Sequence, residues 1–354
     1  MGEPHRVAVV GVGIGRAHLE AYSSLAEHYT VAAICDRDAD RARPVAEAFG
    51  VQRLITDFDD LCKLDDIDII DICTPSSLHT PQSIQALAAG KHVICEKPIG
   101  GSLKDVDALI AAEAASGRRL MPIFQYRFGH GAQKLKRLIE RGVTGPSYAV
   151  TIETHWRRGP DYYAVPWRGR KATELGGVAL THAIHAHDLL VYLTGPLRSV
   201  SARIATRVNA IETEDCVAAA VELGDGGLGT LSVTVGSMHE ISRHRFCFTN
   251  LTAESQTAPY SNTADPWTFT AANPDISAII DAVLSDFEPQ PEGFTGQFLR
   301  FACALDTDGP LPVTLAEARA TVELTTALYH SARTGCAQDL PLSADHPSYA
   351  GWGG

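Results

Sequence analysis

A glycine-rich turn directly after the first apolar segment constrains the fold of this chain more than any other feature. Val7–Val10 runs into Gly11, Gly13 and Gly15, and a helical pattern follows. In a strand–turn–helix context, glycines allow close backbone approach to a pyrophosphate, and the helix N-terminus offers unpaired N–H groups. The sequence therefore predicts that Gly11, Gly13, Ile14 and Gly15 contact a dinucleotide. The spacing is one residue shorter than GxGxxG, so an ordinary tight turn is the alternative.

The first third of the chain alternates short apolar segments with helical stretches. The apolar segments are predicted strands, at Val7–Val10, Val31–Cys35, Ile67–Ile72, His92–Cys95 and Leu120–Phe124. Helices are predicted between them, at Ala17–Glu27, Ala39–Phe49, Thr80–Ala89 and Leu103–Ser116. Apolar strands that alternate with helices predict a parallel, doubly wound sheet, whose ligands bind beyond the carboxyl ends of the strands. We therefore expect an α/β Rossmann domain over residues 1–125.

Residues 126–354 show a different pattern. Successive strands are predicted at Ser147–His155, Val200–Val208, Cys216–Leu223 and Gly229–Val235. Several of them alternate in polarity, and Gly224–Gly227 is a candidate hairpin turn, which is typical of antiparallel pairing. Helices are predicted at Val178–Leu193, Asp275–Phe287 and Leu315–Arg333. This pattern predicts an α+β domain with an open, mostly antiparallel sheet.

Composition excludes several classes of partner. The 354 residues carry 30 Lys and Arg against 42 Asp and Glu, a formal net charge of −12, so the surface repels phosphate backbones and anionic lipid. The apolar segments are too short to span a bilayer, and the N-terminus lacks the apolar core of a signal peptide. The eight cysteines form no CxxC motif, which is typical of reduced thiols. We expect a cytoplasmic protein with no nucleic-acid or membrane partner.

Asp36 ends the second predicted strand, about 20 residues after the glycine turn. A carboxylate at this point accepts hydrogen bonds from the adenosine ribose hydroxyls and repels a 2′-phosphate, which favours NAD as the cofactor. Arg37 follows directly, and a guanidinium beside the ribose is one way of accommodating NADP, so NADP stays an alternative. A turn or helix-capping role is the structural alternative for Asp36.

Two further loops follow predicted strands at the same edge of the sheet. Thr74 and Pro75 begin the loop that leads to His79, while Glu96 and Lys97 follow the next strand. A lysine held at a strand end beside the nicotinamide acts as an acid or base when its surroundings lower its pKa. Glu96 would orient that lysine or the nicotinamide ribose. On chemistry alone, an ordinary surface Lys–Glu pair is the alternative.

Taken together, these motifs resemble the glucose–fructose oxidoreductase / inositol dehydrogenase (Gfo/Idh/MocA) family. The matching elements are the glycine turn with His18 downstream, Cys35-Asp36, Thr74-Pro75 with His79, Gly90-Lys91-His92-Val93 with Glu96-Lys97-Pro98, Gln125-Tyr126-Arg127-Phe128, and Gly176-Gly177 with His185-Ala186-His187-Asp188. The resemblance implies NAD(P)-dependent oxidation or reduction of a sugar or polyol carbon. It also implies that Lys97 lies in the active site, and that Thr74, Pro75, His79 and Glu96 lie at the cofactor. A homodimer or homotetramer assembled through the open sheet of the second domain is expected on the same basis.

Histidines are concentrated in the helix predicted at Val178–Leu193. Three of them lie there with one carboxylate, as His182, His185, His187 and Asp188. Such a set could ligate Zn²⁺, but the sequence offers no second cluster with a convergent ligand. Because hydride transfer to NAD needs no metal, we expect none.

The family resemblance implies that His185 is catalytic or binds substrate, with Asp188 orienting it or capping within the helix. Many relatives carry an aspartate four residues before this histidine, where this chain has Thr181. A threonine can bind a hydroxyl but cannot act as a charged base, so an Asp–His–Lys triad is in doubt. We expect Lys97 and His185 to be the catalytic groups, and Thr181 and His182 to contact the substrate.

The segment before this helix is rich in side chains suited to carbohydrate binding. It contains Trp156, Arg157, Arg158, Asp161, Tyr162, Tyr163, Trp167 and Arg168. Aromatic faces stack on the C–H faces of sugars, while Arg and Tyr tips bind hydroxyls; packing between domains is the alternative role. We expect Tyr163 and Arg127 to line the substrate cleft. In relatives, a Trp-Arg pair at the position of Trp167 and Arg168 can close over the cofactor, and we expect that contact here.

The favoured function is reversible hydride transfer between NAD(P) and a ring carbinol of a sugar, polyol or glycoside. One alternative is an NAD-dependent glycosidase or lyase, in which transient oxidation of the sugar acidifies a neighbouring C–H and permits elimination. A non-catalytic protein that senses NAD or a sugar is the other alternative, and the intact Lys97 and His185 argue against it.

Overall fold

The structure, a computed structural model, describes residues 3–352 and divides the chain into two compact units. The first comprises the chain up to Phe124 together with Phe294–Arg319, and the second comprises Gln125–Gly293 with the chain from Ala320 onward. The first change of unit therefore lies next to the expected boundary between residues 125 and 126. The return of Phe294–Arg319 to the first unit departs from the contiguous second domain, 126–354, that the sequence suggested.

The first unit is built on a six-stranded parallel sheet. Its strands are β1 (His5–Val10), β2 (Tyr29–Cys35), β3 (Leu54–Ile55), β4 (Ile69–Ile72), β5 (His92–Cys95) and β6 (Leu120–Pro122). Its helices in the same stretch are α1 (Gly15–Ser23), α2 (Ala39–Ala48), α3 (Phe58–Cys62), α4 (His79–Ala88) and α5 (Leu103–Ser116). The strand order β3-β2-β1-β4-β5-β6 reverses direction at β1, as in a doubly wound sheet. The carboxyl ends of β1, β2, β4 and β5 therefore bring the predicted cofactor loops to one edge.

The second unit is built on an eight-stranded sheet. Its strands are β7 (Ser147–Arg157), β8 (Leu197–Ala205), β9 (Cys216–Leu223), β10 (Leu228–Thr234), β11 (Gly236–Phe248), β12 (Leu251–Glu254), β13 (Thr268–Ala271) and β14 (Gln338–Asp339). The order is β13-β12-β11-β7-β10-β9-β8-β14, and every pairing is antiparallel except that of β7 with β10. The sheet is thus mixed and mostly antiparallel, as expected. Side chains alternate along β9 and β10 between a buried face and an exposed face.

The remaining helices are α6 (His130–Glu140), α7 (Pro160–Tyr163), α8 (Lys171–Glu174), α9 (Val178–Thr181), α10 (Ile184–Thr194), α11 (Pro274–Leu284), α12 (Gly293–Thr307) and α13 (Leu315–Thr334). The helix predicted at Val178–Leu193 is in fact two helices, because the backbone breaks at His182 and Ala183 between α9 and α10. None of the helices in the described chain is both long and apolar enough to cross a bilayer. All eight cysteines lie within the described residues, and none of them forms a disulfide bond.

Helix α12 belongs to the first unit because it packs into the core of that unit. Phe298 is fully buried and stacks on Tyr22, with the ring centroids 4.7 Å apart. The side chain of Gln297 accepts from the N–H of Phe124 and donates to the carbonyl of Pro122, at 3.2 and 2.7 Å. These long-range contacts complete the edge of the sheet at β6, and no local sequence pattern predicts them.

Two histidines lie buried in the second unit without the partners that a charged imidazole needs. His187, on α10, is fully buried, and within the described chain neither of its ring nitrogens has a hydrogen-bond partner. Burial lowers the pKa of His187 to about 4. His244, on β11, is also fully buried, and burial with the neighbouring His187 lowers its pKa to about 3. Both rings are therefore neutral at neutral pH.

Acid should destabilise the second unit through these histidines. Unfolded histidine binds a proton below about pH 6.5, whereas folded His187 stays neutral down to about pH 4, so stability falls as pH drops through this window. Between about pH 7.5 and about pH 5, the free energy of unfolding should fall by about 2 kcal/mol less in His187→Leu than in the wild type. Urea unfolding at the two pH values measures this. The same substitution at the exposed His239 is the control, and an equal effect there would contradict the assignment.

Candidate active site

The glycine turn of the first unit is shaped by close packing at two positions and by open space at a third. Gly11 has φ +91°, and a Cβ there would lie 2.8 Å from the carbonyl oxygen of Cys73. A Cβ on Gly15 would lie 2.9 Å from Cγ1 of Val9, so this glycine lets α1 pack on β1. A Cβ on Gly13 would meet none of the described atoms within 4 Å. The space over Gly13 is a cradle that a bound group would fill.

The N-terminus of α1 completes this cradle. Within the described helix, no side chain caps the N-terminus and no acidic residue lies in the first turn. Its backbone N–H groups and the positive end of its dipole therefore favour an anion. Ile14, between the second and third glycines, is 44% exposed. The turn fits the pyrophosphate contact predicted for Gly11, Gly13, Ile14 and Gly15.

Asp36 lies at the carboxyl end of β2 and is 5% exposed. Its carboxylate accepts from the N–H groups of Val12 and Asp38, at 3.1 and 3.0 Å, which ties the end of β2 to the glycine turn. The guanidinium that pairs with Asp36 belongs to Arg41, at 2.7 Å, whereas Arg37 is exposed. Arg41 lies on α2, so a second guanidinium besides Arg37 is available near the carboxyl end of β2.

The loops after β4 and β5 are joined by His79. This residue is buried, and its Nδ1 and Nε2 each lie 2.7 Å from a backbone carbonyl oxygen, of Pro98 and Thr74 respectively. Burial lowers the pKa of His79, and the two carbonyls oppose that shift. Both ring nitrogens of His79 thus face backbone carbonyls of the two loops. Thr74 and Pro75 are half-buried, as the predicted contact at this edge requires.

Lys97 follows β5 at the same edge of the sheet and is half-buried. Its backbone N–H donates to Oε2 of Glu96 at 3.0 Å. Glu96 is 4% exposed, and its Oε1 lies 3.2 Å from Nε2 of His18 on α1. The peptide that carries the predicted catalytic lysine is thus held by a buried carboxylate, which is itself held by a buried histidine.

In the second unit, His185 lies near the start of α10 and is 5% exposed. Its ring stacks on Tyr126, with the centroids 4.9 Å apart and an angle of 25° between the planes. Tyr126 is in turn fixed by the hydrogen bond of its hydroxyl to the carbonyl of Pro259, at 3.2 Å. This stacking gives the imidazole of His185 one defined orientation.

Arg127 has a different position from the substrate contact expected of it. Its guanidinium is 2% exposed and binds the carboxylate of Asp188 through Nε and Nη2, at 2.8 and 2.6 Å. Asp188 also accepts from the hydroxyl of Thr321, at 3.1 Å, and the guanidinium lies 4.7 Å from the ring centroid of Tyr192. Asp188 is therefore engaged by Arg127 and Thr321. The contacts of Arg127 thus hold α10 in place, which is a role that the sequence analysis did not assign to it.

Thr181 and His182 lie where the chain breaks between α9 and α10. The Oγ1 of Thr181 donates to the carbonyl of Gly177 at 2.9 Å and lies 2.8 Å from Nδ1 of His182. The buried carboxylate of Glu214 accepts from the N–H groups of Gly177 and Ala179, both at 3.0 Å. This carboxylate pins the backbone that leads into Thr181.

The ionisation of Glu214 is shifted by its surroundings. Burial raises the pKa of Glu214 to about 7, while hydrogen bonds from Tyr329 and from the backbone limit that rise. The hydroxyl of Tyr329 donates to Glu214 at 2.8 Å. Neither residue stands out in the sequence, because each comes from a segment remote from α9 along the chain.

The aromatic segment before α9 forms a stacked cluster. The guanidinium of Arg168 lies 3.9 Å from the ring centroid of Tyr162 and 4.3 Å from that of Trp167, and Glu174 pairs with it at 3.5 Å. The ring of His182 lies 5.5 Å from Tyr162 and 5.6 Å from Trp156. Tyr163 is half-buried and packs edge-on to Tyr162, at 5.0 Å. The structure thus brings together, in the second unit, most of the side chains predicted to bind substrate.

Other residues of these networks were accessible to sequence reasoning only in part. Asp71 interrupts the apolar run of β4, and a charge inside a buried strand is a sign of a buried partner. His18 belongs to the glycine-turn motif, but the sequence gives no indication that it contacts Asp71 and Glu96. Arg41 is an ordinary helical arginine in the sequence.

Two family models match the chain. Residues 5–124 match the oxidoreductase family with an NAD-binding Rossmann fold, and residues 132–253 match the GFO/IDH/MocA C-terminal domain. Each match falls within one of the two units, and together they span more than half of the chain.

Known proteins resemble the chain in sequence and in structure. Levoglucosan dehydrogenase of Pseudarthrobacter phenanthrenivorans is 30% identical over 56% of this chain and 54% of its own length. Myo-inositol 2-dehydrogenase of Thermotoga maritima is 31% identical over 54% and 55%, so these two alignments span about half of each relative. The WlbA dehydrogenase of Bordetella pertussis, solved with NADH and UDP-GlcNAcA, is 29% identical, covers 96% of this chain and 100% of its own, and has a TM-score of 0.85. The chain therefore belongs to the Gfo/Idh/MocA family of oxidoreductases, and its first unit is an NAD-binding Rossmann domain.

Proposed function

We propose that the protein is an NAD-dependent dehydrogenase that oxidises a ring carbinol of a sugar or polyol. The observation that carries this proposal is Lys97, whose peptide is held by Glu96 at the carboxyl edge of an NAD-binding sheet. An ammonium or amine fixed at this edge is suited to exchange a proton with a hydroxyl. The names of the relatives support the substrate class, since they include dehydrogenases of levoglucosan and of myo-inositol.

Acid–base chemistry in this proposal belongs to Lys97 and His185. When bound, NAD supplies the nicotinamide that accepts a hydride. One of the two side chains removes the proton of the substrate hydroxyl, and the other donates a hydrogen bond to the same oxygen and stabilises its developing charge. The stack of His185 on Tyr126 fixes the imidazole for this task. Thr181 and His182 bind neighbouring hydroxyls, and Tyr163, Trp167 and Arg168 complete the binding surface for sugar and cofactor.

Loss of either acid–base group should abolish most of the activity. We expect NADH formation from NAD and one class in a panel of sugars, polyols and glycosides, and a drop of about 10²- to 10⁴-fold in kcat for Lys97→Ala and for His185→Ala. Absorbance of the reduced nicotinamide measures both. Lys104→Ala, at an exposed lysine on α5, is the control.

Other outcomes of that assay would replace the proposal. Consumption of a glycoside with NAD retained and no net NADH would favour the glycosidase or lyase mechanism. NAD binding without turnover of any compound in the panel, unchanged by Lys97→Ala, would favour a sensing protein.

Asp36 should set the preference for NAD over NADP. Its buried carboxylate repels a 2′-phosphate, while Arg41 beside it can bind one. We expect Asp36→Ser to raise the Kd for NADH by about 10-fold and to lower that for NADPH, measured by nicotinamide fluorescence; a hydrogen-bonded charge of this kind contributes about 1.5 kcal/mol or more. Asp40→Ser, at an exposed carboxylate in the first turn of α2, should change neither Kd. An unchanged ratio in Asp36→Ser would remove Asp36 from the cofactor site.

We also propose that the protein is cytoplasmic and forms a homodimer or homotetramer through the sheet of the second unit. One face of this sheet exposes rows of small side chains, with Ser201, Ala220 and Thr230 in register across β8, β9 and β10. Arg203 and Ala218 lie in the adjacent row. A flat face with small residues allows a second copy to approach closely.

Substitution in the middle of this face should dissociate the assembly. Ala220→Arg places a long charged side chain in the row, and we expect the molar mass in solution to fall toward that of one 37.9 kDa chain. Light scattering after size-exclusion chromatography measures the mass. Ala108→Arg, at an exposed alanine on α5, should leave it unchanged. A wild-type protein that already has the mass of a single chain would contradict this proposal.

A further inference from the structure

A buried set of polar side chains in the first unit lies outside the groups assigned to catalysis. His18 and Asp71 are fully buried, and Glu96 is 4% exposed. The Nδ1 of His18 lies 2.8 Å from Oδ2 of Asp71, and its Nε2 lies 3.2 Å from Oε1 of Glu96. Tyr22 donates to the same Oδ2 of Asp71, at 2.9 Å. The set connects α1, β4 and the residue that follows β5.

The two acceptors beside His18 favour a positive charge on its ring. Carboxylate oxygens accept hydrogen bonds, and a neutral imidazole can donate from one nitrogen only. An imidazolium donates to both Asp71 and Glu96 and offsets one of their two negative charges. Burial by itself lowers the pKa of His18, but the charge of Asp71 and its hydrogen bond oppose that effect, and the pKa lies well above the ordinary value.

The set is sealed from solvent by aromatic rings. The His18 ring lies 4.6 Å from the ring of Phe294 and 5.1 Å from that of Phe298, and Tyr22 stacks on Phe298. At its far end the set stops at Tyr22, which is 2% exposed. Because these hydrogen bonds end in the core, they do not form a route that carries protons to water. The contacts of His18 therefore serve to fix the positions of the residues that it binds.

Metal binding is the alternative role for part of this set of side chains. Nδ1 of His18, a carboxylate oxygen of Asp71 and Sγ of Cys73 all lie close together in the core. Burial, followed by the charge of Asp71, raises the pKa of the Cys73 thiol, so the sulfur stays protonated and is a poor ligand. The separation of 2.8 Å between Nδ1 and Oδ2 is that of a hydrogen bond.

We propose that His18 is a positioning residue for Lys97, acting through its hydrogen bond to Glu96. Oε1 of Glu96 is held by His18, and Oε2 accepts from the N–H of Lys97, so one carboxylate links α1 to the lysine peptide. Because His18 lies in the helix that begins at the glycine turn, the same ring ties the dinucleotide-binding turn to the catalytic loop. This inference rests on the proposed function for the role of Lys97.

Two substitutions separate the two contacts of His18. The amide nitrogen of Asn reaches the position of Nδ1, so His18→Asn keeps a donor toward Asp71 and loses the contact with Glu96. The amide nitrogen of Gln reaches the position of Nε2, so His18→Gln keeps a donor toward Glu96 and loses that toward Asp71. Tyr22→Phe removes the other donor to Asp71 without touching Glu96, and serves as the control.

The full-length variants are compared by kinetics and by amide hydrogen exchange. We expect His18→Asn to lower kcat for NAD reduction by about 10- to 100-fold through misplacement of Lys97, with the Kd for NADH changed by less than about 3-fold. His18→Gln and Tyr22→Phe should keep kcat within about 5-fold of the wild type. Exchange at residues 95–101, followed by mass spectrometry, should be faster in His18→Asn than in His18→Gln.

Hydrogen exchange reports on the position of the Lys97 peptide whether or not any sugar reduces NAD. Equal exchange at residues 95–101 in the Asn and Gln variants would therefore overturn the inference without touching the proposed function. Equal losses of kcat in His18→Asn and Tyr22→Phe would overturn it as well, since they would report a general weakening of the core. Stoichiometric zinc in the purified protein, lost in His18→Asn, would replace it with the metal site.

Discussion

The two hydrogen bonds of His18 hold together the functional edge of the first unit. Burying two carboxylates costs several kcal/mol per ion unless a positive charge and well-directed donors compensate for the lost water. The imidazolium supplies both, toward Asp71 on β4 and toward Glu96 after β5. Without the imidazolium, the hydroxyl of Tyr22 and the N–H of Lys97 would be left as donors to these two carboxylates. The glycine turn, Thr74 and Lys97 all lie on elements that this one ring connects.

The second unit uses buried charge in the same way. The pair of Arg127 and Asp188 fixes α10, which carries His185. Glu214 accepts from the backbone N–H groups of Gly177 and Ala179, so the break before Thr181 is pinned by a carboxylate. In both units, buried polar and charged side chains hold the backbone, and the residues proposed to contact substrate lie on the segments that they hold. The buried charged and polar groups of this fold therefore act mainly by fixing the position of the backbone.

Local sequence patterns predicted the elements that carry a clear periodic signal, whereas β3, α3 and α12 of the first unit were not predicted. Leu103–Ser116 and Cys216–Leu223 have the same bounds in sequence and structure. Features that depend on remote partners could not be predicted in this way. Examples are the contacts of Glu214 with the backbone before His182, the stacking of Phe298 of α12 on Tyr22, and the pairing of Arg127 with Asp188. Strand β11 was missed because its first half is polar and pairs irregularly with β7.

In the aromatic cluster of the second unit, ion pairs determine which chemical groups the cluster presents. Arg158 binds Glu240 at 2.9 Å and lies over the rings of Trp156 and Tyr162, while Arg168 pairs with Glu174. Each guanidinium is thus balanced by a carboxylate and orients an aromatic ring. Such a surface offers ring faces and directed hydrogen-bond donors more than net positive charge, which suits the alternating C–H and O–H groups of a carbohydrate. The hydroxyl of Thr181, 2.8 Å from Nδ1 of His182, adds a neutral group beside this cluster.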